Sequence, residues 1–133
     1  MKVLIVDDSK IVCKGLKQML NNIADVEIVG QAHNAEDAIT SISESKPYVV
    51  ILDINLPGRS GIEVLKDIRK KKLSSRVIML TNYPYPQYRK KCEELGADYF
   101  LDKVAEIEKI PKLIEELAKN IPEKVKKAMN DKW

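Results

Sequence analysis

The chain has 133 residues, 44% of them hydrophobic and 32% charged, the size and balance of one water-soluble domain with its own core. Its 23 basic and 20 acidic residues leave a formal charge of +3, with no one-sided basic stretch of the kind that marks a nucleic-acid footprint. A disordered chain is excluded, and apolar runs such as residues 3–6 are far too short to span a bilayer.

The run at 3–6 reads as a first strand. It stops at Asp7-Asp8, so it is not a secretory signal. Ser9 is placed to cap a helix whose apolar stripe is Val12, Leu16, Met19, Leu20 and Ile23. A second run, 26–32, is followed by His33, the sole histidine, which reads as a surface or capping residue. Asn34 then caps a helix marked by Ala35, Ala38, Ile39 and Ile42. The third run, 48–52, ends on Asp53. Ser60 caps the next helix, with Ile62, Leu65 and Ile68 on its buried face. The basic residues Lys66, Arg69, Lys70, Lys71, Lys72 and Arg76 read as its solvated end.

The fourth run, 77–80, leads to Thr81 and to Tyr83-Pro84-Tyr85-Pro86-Gln87-Tyr88. That segment holds three of the chain's seven aromatic residues. Its prolines fix a loop, and its tyrosines either pack inward or offer a partner surface. Pro86 suits the first turn of a helix carrying Tyr88, Cys92 and Leu95, and Gly96 suits a left-handed end. The fifth run, 99–101, precedes Asp102-Lys103, and a last helix shows Ile110, Leu113, Ile114 and Leu117 with Pro111 in its first turn. Beyond Asn120, Pro122 breaks that helix. Ile121, Val125, Ala128, Met129 and Trp133 then form either a packed C-terminal turn or a short amphipathic docking segment. Cys13 and Cys92 form no metal-ligand pattern and read as reduced thiols of a cytoplasmic protein.

Strand and helix alternate five times, which predicts a doubly wound α/β sandwich. Right-handed crossovers favour the flavodoxin-like strand order 2-1-3-4-5. In such sheets ligands bind at the carboxyl ends of the strands, where strand order reverses. Those ends carry Asp7, Asp8, Asp53, Thr81 and Lys103. Three clustered carboxylates without a nearby thiolate or imidazole ligand favour a hard cation, Mg²⁺ above zinc. A carboxylate nucleophile beside a cation, an ammonium and a hydroxyl suits phosphoryl transfer through an aspartyl phosphate.

Val6-Asp7-Asp8, Asp53-Ile54-Asn55-Leu56-Pro57-Gly58, Leu80-Thr81 and Gly96-Ala97-Asp98 leading to Lys103 together resemble the receiver domain of two-component response regulators. The resemblance runs from Lys2 to about Asn120. It implies a receiver over residues 1–120 and a short extension over 121–133 without an output domain. It also implies that Asp53 accepts a phosphoryl group from a phosphohistidine on a sensor histidine kinase or histidine phosphotransfer protein. Asp8, Asp7, Asp53 and the Asn55 main-chain carbonyl would hold Mg²⁺. Thr81 and Lys103 would contact the phosphoryl oxygens, and Phe100 is the aromatic switch position. Tyr83, Tyr85 and Tyr88 border the face made by the fourth helix, fifth strand and fifth helix, where a downstream protein or a second copy would bind.

Three departures qualify the match. Val104 stands where many receivers have Pro, which would hold Lys103 less rigidly. Asn82 is bulkier than the usual small residue and narrows access, and Phe100 has no hydroxyl, so its switching must work through packing. The expected protein is a switch with no enzymatic turnover, no nucleic-acid contact and no membrane contact. An aspartyl-phosphate phosphatase or phosphotransferase, and a constitutive module that has lost phosphorylation, remain as alternatives.

Overall fold

Residues 1–130 are described by the computed structural model of the chain. Strands β1 (Lys2–Val6), β2 (Glu27–Ala32), β3 (Val49–Leu52), β4 (Arg76–Thr81) and β5 (Tyr99–Asp102) pair in parallel in the order β2-β1-β3-β4-β5. This is the predicted order. Side chains alternate across the sheet. Val3, Ile5, Ile51, Ile78 and Leu80 enter one core, and Leu4, Val6, Leu52 and Met79 enter the other.

Helices cover both faces. Helix α1 (Lys10–Leu20) and helix α6 (Ile110–Lys119) bury Leu16, Leu20, Ile110 and Ile114 against the first face. Helices α2 (Ala35–Ser45), α3 (Gly61–Lys70) and α4 (Pro86–Glu94) bury Ala38, Ile42, Leu65, Ile68 and Cys92 against the second. Ser9, Asn34 and Ser60 each accept a main-chain N–H from the first turn they cap. Each such cap contributes about 1 kcal/mol.

Several details depart from expectation. β2 is an edge strand and only partly buried, and its pairing with β1 skips Val29, a bulge between the partners of Val3 and Leu4. The predicted last helix is preceded by a short helix α5 (Lys103–Glu106) and a 3-10 turn (Ile107–Lys109). Asp102 starts that extra turn by accepting the N–H groups of Val104 and Ala105. Pro111, in the first turn of α6, lacks the N–H that a continuous helix needs. Pro122 does separate a further helix, α7 (Glu123–Asn130), and Trp133 lies outside the described residues.

The basic end of α3 is not wholly solvated. Arg69 donates to the carbonyls of Leu73 (3.2 Å), Ser75 (2.8 Å) and Gly96 (2.8 Å) and to Asp98 Oδ2 (3.2 Å). Asp98 also accepts Val77 N–H at 2.8 Å. Arg76 Nε lies 2.9 Å from Asp98 Oδ1 but off a hydrogen-bonding direction, so that attraction is ionic. Arg69 therefore ties α3 to the starts of β4 and β5. Arg69→Met keeps the stem but strands three carbonyls. Urea denaturation should show a loss of about 2 kcal/mol, within the range for charge-assisted hydrogen bonds and reduced by partial solvent exposure.

Candidate functional site

The carboxyl ends of β1, β3, β4 and β5 converge on one crevice. The ladder runs one residue beyond β1 and β3, because Asp7 N–H donates to Ala32 O and Asp53 N–H to Val6 O, each at 3.0 Å. Both aspartates are thus held by their backbones. Asp7, Asp53, Thr81 and Lys103 are buried, whereas Asp8 and Asn55 are exposed. Lys103 Nζ lies 2.6 Å from Asp7 Oδ2 and 3.1 Å from Asp53 Oδ2. The remaining oxygens are used locally. Asp7 Oδ1 accepts Ser9 N–H at 2.9 Å, and Asp53 Oδ1 accepts Asn55 N–H at 3.3 Å.

Burial pushes the Asp53 carboxyl above its usual range, against the pull of Lys103, and the Asp7 charge adds to the rise. Burial alone would lower the Lys103 ammonium, but its bonds and charge pairing with Asp7 and Asp53 hold it above its usual value. The crevice therefore concentrates negative charge and retains one cation to offset it. Asp7, Asp8 and Asp53 each offer an oxygen, all within 4.8 Å of one another. Hard oxygen donors at that spacing fit a divalent cation such as Mg²⁺.

The other predicted residues surround this cluster. Thr81 is fully buried, and its Oγ1 accepts Tyr83 N–H at 3.0 Å, which leaves its own proton to donate. Asn82 is exposed. Phe100 is buried; the Arg89 guanidinium sits 4.7 Å from its ring centroid, and Arg89 Nη1 donates to its carbonyl at 3.3 Å. Tyr83, Tyr85 and Tyr88 form a tilted stack with centroid spacings of 6.1 and 5.5 Å. Tyr83 and Tyr85 are exposed, and Tyr88 packs against the core. Val104, the residue after Lys103, is exposed. The Val104 N–H, which a proline would lack, is fastened to Asp102.

Two residues escaped the sequence reading. A Cβ on Gly61 would lie 1.9 Å from Asp53 O and 2.8 Å from Asp53 C, so the start of α3 rests directly on the backbone of Asp53. A glycine immediately after a helix cap was the available signal. The other is His33, whose contact was not foreseen: it is partly buried, and its Nδ1 lies 2.9 Å from Asp7 O. Cys13 Sγ donates to the same carbonyl at 3.4 Å. Burial and the Asp7 charge push the Cys13 thiol up to about 11, so it keeps its proton.

Comparison with known proteins gives a consistent result. The family model for the response regulator receiver domain matches residues 3–115. An uncharacterized transcriptional regulatory protein, YvfU of Bacillus subtilis (strain 168), is 33% identical over 118 residues, covering 89% of this chain and 59% of that protein. The nitrate/nitrite response regulator protein NarL of Escherichia coli (strain K12) is 31% identical over 116 residues, covering 87% and 54%. The chain thus spans about half the length of these two relatives. Among solved structures, a DNA-binding response regulator of the LuxR family from Staphylococcus aureus superposes with a TM-score of 0.81 at 34% identity, covering 88% of this chain and 98% of that one.

Proposed function

The chain belongs to the response regulator receiver family, the phosphorylation-controlled switches of two-component systems, and from that membership we propose that Asp53 is its phosphoryl acceptor. The observation that carries this reading is the buried contact of Lys103 with both Asp7 and Asp53, on three separate elements of the chain.

A carboxylate oxygen of Asp53 attacks the phosphorus of a phosphohistidine. The P–O bond forms as the P–N bond breaks, and the donor imidazole leaves with the bonding electron pair and takes up a proton. The Asp8 and Asp53 carboxylates and the Asn55 main-chain carbonyl would hold Mg²⁺, with Asp7 contributing directly or through water. When bound, Mg²⁺ supplies positive charge that offsets the charge on the transferring group. Lys103 moves its ammonium toward a phosphoryl oxygen. Thr81, whose oxygen already accepts Tyr83 N–H, donates its proton to another.

That donation pulls on the loop bearing the tyrosine stack, and Phe100 responds through its packing against Arg89. Output is then read on the face of α4, β5 and α6, by a downstream protein or by a second copy of the chain. Ile11 and Val104 are 85% and 81% exposed. They lie three residues from Asp8 and next to Lys103, and we place the phosphodonor contact there. We assign residues 1–120 to the receiver and 121–133 to the segment that follows. The protein is read as cytoplasmic; among the described residues no helix is long and apolar enough to cross a membrane. Turnover of free phosphoesters is not expected, because position 55, where such enzymes place a second acid, is Asn.

Incubation with acetyl phosphate should add one phosphoryl mass when Mg²⁺ is present and none after chelation with EDTA. Stoichiometric uptake supports the switch. Phosphate released over many turnovers would favour the enzyme, and no uptake would favour the constitutive module.

A further inference from the structure

The Asp7 carbonyl lies just beyond the end of β1, where the ladder provides no main-chain donor for it among the hydrogen bonds of the described residues. Side chains from two other elements serve it instead. Cys13 reaches it from α1 at 3.4 Å and His33 from the end of β2 at 2.9 Å. A carbonyl oxygen can only accept, so His33 Nδ1 carries the proton in this contact. The peptide concerned joins Asp7 to Asp8. Its orientation sets the direction in which the Asp8 side chain leaves the chain, and the Asp7 Oδ1 bond from Ser9 N–H closes the same turn from the other side. Asp8 itself is exposed and so depends on its backbone for placement.

From this geometry we infer that His33 is a positioning residue for the acidic pair, holding the Asp7–Asp8 peptide so that Asp8 meets a divalent cation beside Asp7 and Asp53. The inference rests on the reading of the crevice as a Mg²⁺-assisted acceptor site. His33 acts through a main-chain carbonyl and makes no contact with metal or phosphoryl group. Outer contacts of this kind typically change metal affinity by about tenfold or more when removed.

The test is a Mg²⁺ titration of the full chain, followed through the amide resonances of Asp8 and Ser9, for the parent, His33→Ala and His33→Asn. Asn places an amide N–H donor at the same side-chain position as Nδ1. His33→Ala should weaken Mg²⁺ binding by about tenfold, and His33→Asn should restore it to within about twofold of the parent. Because the resonances report folded molecules, a loss of stability alone does not move the midpoint. Unchanged Mg²⁺ affinity in His33→Ala overturns the inference, as does a weak site in both variants. A parent chain that neither binds Mg²⁺ nor takes up phosphoryl overturns the reading of the crevice itself.

Discussion

Asp53→Asn should give a folded protein that takes up no phosphoryl group from acetyl phosphate or a phosphorylated kinase. The carboxamide is isosteric but lacks the anionic oxygen that attacks phosphorus, so the loss should be complete, not partial. The fold should survive. Asp53 is buried with its carboxyl held above the usual range by desolvation and by Asp7, so removing its charge relieves repulsion while it weakens one contact of Lys103. Lys103 keeps its 2.6 Å bond to Asp7. Intact-mass analysis and a hydroxylamine-labile, acid-stable label provide the measurement. Undiminished labelling of the variant would remove Asp53 from its role and turn attention to Asp7 and Asp8.

Gly61→Ala should be the most damaging single methyl group in the site. The added carbon would fall 1.9 Å from Asp53 O, 2.8 Å from Asp53 C and 3.0 Å from Ile54 Cα. All three are backbone atoms, so no side chain can rotate to make room. Either α3 lifts away, breaking the 2.7 Å bond from Gly61 N–H to Ile54 O, or the Asp53 peptide moves. Overpacking of this kind costs about 3 kcal/mol, to be read by urea denaturation. A displaced acceptor should also slow labelling of the folded fraction by up to about a hundredfold. Normal labelling kinetics in the folded variant would show that the crevice tolerates the shift.

The strand ends were legible because a doubly wound sheet converts sequence position into spatial position. Once the apolar runs are placed, Asp7, Asp8, Asp53, Thr81 and Lys103 must share one edge of the sheet. Gly61, His33 and Arg69 were not legible for the opposite reason. Their roles lie in contacts with backbone atoms of other segments: an Asp53 carbonyl, an Asp7 carbonyl, and the carbonyls of Leu73, Ser75 and Gly96. Periodicity records which face a residue occupies but not which carbonyl it meets. The short helix α5 was missed because it is too brief to show a stripe. Its cause, the carboxylate of Asp102 turned onto the N–H groups of Val104 and Ala105, is a local hydrogen-bonding choice that several residue types can make.

The placement of Lys103 between Asp7 and Asp53 also sets what the crevice refuses. Three carboxyl groups stand beside a single ammonium, so without a divalent cation the crevice is a poor host for a free phosphate anion. The ammonium cannot swing to an arriving anion without leaving a carboxylate behind. A divalent cation held by Asp7, Asp8 and Asp53 would offset the repulsion, which is why uptake from a donor as small as acetyl phosphate should need Mg²⁺. On the proposed reading, it is the supply of the cation, more than the supply of anions, that decides whether the crevice admits a phosphoryl group.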